Sequence, residues 1–286
     1  MRYQNFKLLY FLICLFLIIP QQLSAMLKAL DTSATGMAAQ ADNVNTISNN
    51  IANINTTAFK QSRTEFEDLL YQTVQESGSR SSSSTRYSVG VQIGSGVKVS
   101  GIRKNFSQGS TKITEGPFDM MINGDGFFGI ILPNNEIRYT RDGSFTVDQQ
   151  GNLVTRQGYK LFPGFTIPPN IRSVNVNEEG TLDVYFNNQP EPSNLGTIPV
   201  FTFINPAGLS SSGNNLYRMT ESSGVPIQGI PGTENTGTLM QGALELSNVN
   251  TMTEMTDLIR AQRAYEMNSK VMGVADQMLH TVNQLR

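Results

Sequence analysis

Apolar residues at both ends of this chain fall at alternating steps of three and four. Near the N-terminus the series is Leu27, Leu30, Ala34, Met37, Ala41, Val44, Ser48 and Ile51; near the C-terminus it is Leu258, Ala261, Tyr265, Asn268, Met272, Ala275, Leu279 and Val282. Such spacing keeps one stripe of a helix turned toward a partner helix, as in the a/d seam of a coiled coil. A seam of this kind cannot bury itself. The terminal helices are therefore expected to pack together as a discontinuous, coiled-coil-like helical layer built from both chain ends. The alanines permit close approach, and the polar positions Ser48 and Asn268 set register at a cost in stability.

Between the seams the period changes to two. Val91, Ile93, Val97 and Val99 alternate with polar residues; Ile137 to Arg141 and Ser144 to Val147 flank the turn Asp142-Gly143, and Gln150-Gly151-Asn152 introduces Leu153. These read as hairpins. Further strands are expected at Val174 to Val176, Leu182 to Phe186, Ile198 to Phe203 and Leu216 to Met219, punctuated by Gly180, Pro190, Pro206-Ala207-Gly208 and Gly213. The fold class is α+β. A helical segment over 26–70 and another over 241–286 bracket a β-rich domain over 71–240. The serine run Ser81 to Ser84 reads as a flexible or partner-ordered excursion. Helices this polar bury little apolar surface, so they are expected to be loose in a free chain and ordered by neighbouring copies.

Charge and composition remove whole classes of function. The formal net charge is -2, with no Lys/Arg cluster, which leaves no basic face for a nucleic acid backbone. Cys14 and His280 are the lone cysteine and histidine, so internal disulfides and thiolate or histidine metal sites are not expected. The first 25 residues read differently from the rest: Arg2 and Lys7 precede an apolar run from Leu8 to Ile19, followed by Pro20 and Ser24-Ala25. This suits a secretory leader, although Leu23 is large for its place before the cut; the competing expectation is an upstream extension of a chain that starts at Met26.

No catalytic constellation is visible. GVQIGSGVKVSG, from Gly90 to Gly101, has neither dinucleotide nor Walker spacing, and reads as strands with glycine turns. INGDGFFG, from Ile122 to Gly129, lacks the alternating acids and closing glutamate of a calcium loop. The pairs Glu178-Glu179 and Glu65/Glu67/Asp68 lack any sign of opposition across a cleft, and no base stands ready to activate the serines. No enzyme activity, cofactor, metal or small-molecule substrate is expected.

One stretch resists a plain helical reading. ISNNIANINTTAFK, residues 47 to 60, has helical apolar spacing yet is crowded with Asn and Thr, which are mediocre helix formers. Together with FEDLLYQT, INGDGFF, YTRDGSFTVDQQGNLVT, TFINPAGL and the closing LIRAQRAYEMNSKVMGVADQML, it resembles the bacterial flagellar axial proteins of the rod and hook, in order from Met26 to Arg286, and is most similar to the distal-rod branch. Asn49, Asn50, Asn53, Asn55, Thr56, Thr57, Phe59 and Lys60 carry the N-terminal motif; Gln262, Arg263, Tyr265 and Glu266 carry the C-terminal one. Two departures stand out: Ala58 replaces the usual glycine, and Asp31 replaces a usual aromatic or similar residue.

The resemblance implies a non-enzymatic subunit of the basal body that homopolymerises across the periplasm toward the outer membrane. Its terminal helices would form an inner tube around an export channel, with the β domain outside. Implied partners are the proximal rod proteins, the hook protein, the P- and L-ring proteins and the flagellar type III export apparatus. The assembly interface is then expected at Leu27, Leu30, Met37, Val44 and Ile51 on one helix and Leu258, Tyr265, Met272, Leu279 and Val282 on the other. The asparagines would cap the first helix and bond to adjacent subunits, and an insertion near 75–89 would stiffen a straight shaft. A leader is foreign to this family, which favours a start at Met26. Hook or proximal rod protein is the alternative within the family, and a secreted β-rich adhesin the alternative outside it.

Overall fold

The computed structural model describes residues 2–80, 86–187, 191–233 and 236–284, with the side chains of 2–26 and Asn283 excepted. The expected leader and Ser81 to Ser84 of the serine run fall outside the described side chains. The chain divides into two compact units. One comprises Met1–Ser48, Arg63–Arg103 and Met255–Arg286, the other Asn49–Ser62 and Lys104–Glu254. The strand-rich stretch 71–103, expected within the β domain, therefore groups with the helices instead.

In the first unit, helix α1 (Arg2–Ala52) and helix α2 (Thr251–Gln284) supply most of the chain. They meet where α1 has no side chain. A Cβ built on Gly36 would stand 2.8 Å from Asn268 Nδ2, so the predicted polar seam position of α2 lies directly over the glycine of α1. The strands Ser62–Asp68 and Val97–Lys104 pair, and Gln72–Gln75 pairs antiparallel with Val91–Ile93. Lys28 of α1 donates to the Gln72 carboxamide of the second pair.

The helical segment expected over 26–70 stops at Ala52. Asn53 N–H is shared between the carbonyls of Asn49 and Asn50, both at 3.2 Å, and Thr56 N–H then closes a turn on Asn53. Asn and Thr compete for backbone groups through their own side chains. Asn53 does so here, donating from Nδ2 to the Asn49 carbonyl at 2.9 Å and accepting from Thr56 Oγ1 at 3.2 Å. α2 begins on a cap of the opposite kind: Asn250 Oδ1 accepts from the N–H groups of Met252 and Thr253.

The second unit is built on a nine-stranded sheet whose hub is Phe127–Ile131, paired with Ile137–Thr140, Lys160–Leu161 and Val200–Thr202. Ile171–Val176, Thr181–Phe186 and Ser193–Thr197 form a separate three-stranded meander, with the expected turn at Gly180. Side chains alternate out of the hub strand. Phe128 and Ile130 enter one core with Leu153, Leu161, Leu182 and Ile198, while Phe127 enters an aromatic cluster with Tyr139, Phe201, Phe203 and Tyr217. Rings in that cluster meet edge to face, Tyr139 and Phe203 with centroids 4.8 Å apart.

The hairpin expected across Asp142-Gly143 does not form. Ile137–Thr140 pairs with Phe127–Ile131 and Leu216–Arg218, and Thr146–Val147 pairs onward with Leu153–Val154. Asp142 turns the chain locally instead, its Oδ1 accepting from the N–H and hydroxyl of Ser144, and Met120 N–H bonds the Gly143 carbonyl. A two-residue turn signal reports a bend, and neighbouring strands compete for the edges on either side. The turn before Leu153 does close a hairpin, with Leu153 opposite Val147.

Candidate assembly surface and its buried anchor

The segment Asn49–Ser62, the last turn of α1 and the chain after it, is held within the second unit by buried and half-buried polar groups. Asn50 Oδ1 accepts from Ser62 N–H at 2.9 Å, and its Nδ2 donates to the Ser62 carbonyl at 2.8 Å and to Glu254 Oε2 at 3.1 Å. Gln61 donates from Nε2 to the other oxygen of Glu254 and from its backbone N–H to Asn248 Oδ1. Asn248 Nδ2 in turn donates to the carbonyls of Asn105 and Ser107. Asn50 and Glu254, buried from water, must find partners inside the protein, and here they join the end of α1 to the start of α2.

Beneath this network lies an ion cluster. Lys60 is fully buried and donates from Nζ to Glu245 Oε1 at 2.6 Å and to the Ser107 carbonyl at 2.8 Å. Gly109 N–H donates to the same oxygen, and Arg141 lies 3.6 Å from the other, with Nη1 also near the Ile122 carbonyl. Ala58 N–H donates to the Glu245 backbone carbonyl. One carboxylate thus serves two cations. Burial pulls the Lys60 and Arg141 pKa values down, opposed by the Glu245 charge, and pushes the Tyr217 phenol up to about 12, with the Glu245 charge adding to the push. The charged groups of this cluster are buried and face one another.

The helices present the surfaces. On α2 from Leu258 onward the buried and half-buried positions are Leu258, Ala261, Ala264, Asn268, Met272, Ala275, Leu279 and Val282, and before them Glu254 is buried and Asp257 half-buried. Tyr265 is exposed, and Ala264 stands inward in its stead. On α1 the stripe that is buried within the chain is displaced. Ser33, Gly36, Ala39, Thr46, Ile47 and Asn50 are buried, one or two positions back from the expected seam; Leu30, Met37, Val44 and Ile51 flank that stripe half-buried, and Leu27 is half exposed. Small and polar residues face inward here because they let the backbone approach, as at Gly36.

α2 has more apolar surface than one partner helix can cover. Met252, Met255 and Ile259 lie exposed near the start of the helix, roughly 120–180° around its axis from the buried Ala261, and Met267, Val271, Val274 and Met278 lie exposed further along, roughly 80–140° from it in the other direction. Gln262, Arg263 and Glu266 lie exposed along the same helix. The N-terminal motif divides differently: Asn50 and Lys60 are buried, Asn53, Thr56, Thr57 and Phe59 are half-buried, and Asn49 and Asn55 are exposed. Thr57 gives its carbonyl to Asn215 Nδ2, and the Phe59 ring lies 5.3 Å from Lys104 Nζ. The lateral role expected for the asparagines is thus corrected at Asn50 and Asn53, whose bonds close inside the chain. Arg141, Glu245, Asn248 and Glu254 were missed; a single Glu among apolar residues in GALEL was the available sign.

Comparison with known proteins bears directly on this arrangement. Residues 30–60, which include most of the anchored segment, match the family described as flagella basal body rod protein; residues 240–285 match the C-terminal family of the flagellar basal body rod FlgEFG proteins, and residues 121–184 the flagellar hook protein FlgE/F/G D1 domain. The flagellar basal-body rod protein FlgG of Buchnera aphidicola subsp. Schizaphis graminum is 46% identical over 260 residues, covering 91% of this chain and 100% of the relative. The chain belongs to the flagellar basal-body rod family. FlgG of Caulobacter vibrioides is 46% identical, covering 91% of this chain and 100% of its own, and that of Borreliella burgdorferi 47%, covering 91% and 99%. As a rod-family member it is a structural protein of the flagellar basal body and not an enzyme. The α+β organisation, helices at both ends and strands between, is that of the chain as described.

Proposed function

We propose that this rod protein is a subunit of the distal rod, and that many copies stack into a straight, hollow drive shaft that transmits torque and encloses the export channel. The observation that supports this is the double apolar flank of α2. A helix that packs on α1 through its inner seam and still exposes Met252, Met255 and Ile259 on one side and Met267, Val271, Val274 and Met278 on the other is suited to lie between two further copies. Methionine tolerates neighbours of varied shape, which suits contacts repeated around a tube. The seam residues of α1 and α2 would share this interface, and the homopolymer would meet proximal rod proteins, the hook protein, the P- and L-ring proteins and the type III export apparatus.

The anchor fits this role mechanically. Lys60 with Glu245 and Asn50 with Glu254 tie together the end of α1, the segment after it and the start of α2, all within the second unit, and bonds buried from water yield less readily under load than surface contacts. The test is Val271→Glu in a motile strain whose own copy is deleted. The expected result is a purified chain with unchanged melting behaviour and cells that stop at an incomplete rod. Complete basal bodies carrying Glu at 271 would refute the flank as an interface. Far-UV circular dichroism on the dilute chain separately tests the expectation that the terminal helices order only on neighbours: strong helicity at both ends would defeat it.

A further inference from the structure

Asn123 and Gly124 end the strand Met120–Asn123, which pairs with Thr238–Gln241 so that Asn123 stands opposite Thr238. Gly124 has φ of +110°, and a Cβ there would stand 3.0 Å from the Gly237 Cα. That backbone admits glycine alone. The fold therefore requires that the solvent-exposed Asn123 be followed by a residue with no side chain. This is the pair in which the following backbone nitrogen reaches the side-chain amide carbon with least hindrance.

Gln108 stands across both reacting groups. Its Oε1 accepts from the Gly124 N–H at 3.2 Å, and its Nε2 donates to Asn123 Oδ1 at 3.2 Å. A single carboxamide, acting as donor and acceptor at once, thus occupies the nucleophile and fixes the rotamer of the electrophile. We propose that Asn123-Gly124 is a deamidation site of this chain and that Gln108 is the residue that holds it closed. When the clamp is released, the Gly124 nitrogen loses its proton and bonds to Asn123 Cγ. The Cγ–Nδ2 bond breaks, ammonia leaves, and a succinimide remains. Water then opens the ring at either carbonyl, yielding Asp or isoaspartate at position 123, with no change of oxidation state.

The location makes the lesion consequential. Isoaspartate adds a backbone methylene at the end of a strand whose partner, Thr238–Gln241, leads through Ala243–Glu245 to the Glu245 carboxylate. Either product also places a new negative charge two residues from Asp125.

The experiment compares the full chain with Gln108→Leu and Gln108→Glu during storage in warm, mildly alkaline buffer, reading carboxamide loss at each asparagine by peptide mass spectrometry. Loss of the clamp hydrogen bonds is expected to speed deamidation at Asn123 roughly fivefold in Gln108→Leu, while Asn134 and Asn175 in the same digests keep their parental rates. Gln108→Glu retains an acceptor for the Gly124 N–H and is expected to fall between the other two. A rate at Asn123 equal in parent and Gln108→Leu would overturn the proposal. If Gln108→Leu raises all sites through misfolding, Gln108→Glu decides: an intermediate rate confined to Asn123 supports the clamp, and a parental rate refutes it.

Discussion

Lys60 and Glu245 lie 185 residues apart in sequence and 2.6 Å apart in space, with side chains 0% and 1% exposed. The pair is placed where the chain leaves α1 and where it returns toward α2. A buried pair adds little over a well-packed apolar substitute, but removing one partner leaves an uncompensated charge. Glu245 is the critical member because Lys60 and Arg141 both face it.

Glu245→Gln is therefore expected to cost about 3–5 kcal/mol of stability. Lys60→Met should cost less, since Glu245 keeps Arg141 and the Gly109 N–H. Urea denaturation of the monomeric chains measures both, and equal losses would contradict the shared-carboxylate arrangement.

Alkaline pH should destabilise the β domain through Tyr217. Its phenol is raised from 10.0 to about 12 by burial and then by the Glu245 charge, so the folded state keeps a proton that the unfolded state has released. That contribution is fully present below pH 10.0 and is lost as pH rises toward about 12. Lys60, lowered by burial, acts with the opposite sign, regaining stability as pH rises toward 10.5. Tyr217→Phe should remove up to about 1.4 kcal/mol per pH unit from the alkaline slope. Thermal melts across that range read it directly.

Ala58 is buried with φ of +56°. A Cβ in the left-handed region is strained, although glycine raises unfolded-state entropy. Ala58→Gly is expected to gain about 1 kcal/mol, seen as a higher urea midpoint with unchanged slope.

Gly36 distinguishes close helix approach from mere propensity. Gly36→Ala places its methyl against the movable end of Asn268 and gains helix propensity, so it should stay within about 1 kcal/mol of the parent. Gly36→Leu cannot be accommodated without separating α1 from α2. Disulfide trapping between cysteines introduced at Ala39 and Ala264 would report that separation.

The period of three and four at both ends was enough to establish helices there, because helical geometry is local and repeats within a few residues. On α2 the positions it named, apart from Tyr265, are buried or half-buried. Which stripe of α1 would be buried was not legible: the buried face carries Ser33, Gly36 and Thr46, and an apolar pattern cannot reveal a contact selected for smallness. Turn residues at Asp142-Gly143 announced a bend but not its strand partners, since pairing depends on segments as distant as Leu216–Arg218.

The sequence by itself determined the α+β class, the absence of catalytic spacing, and a resemblance carried by motifs at both ends. Tertiary structure alone decided that Asn50 and Lys60 turn inward to Glu254 and Glu245, and that strand residues 63–103 group with the helices. The physical reason is range. Secondary structure follows from backbone sterics and side-chain period over a turn or two, whereas a buried charge finds its partner only when the whole chain has folded around it.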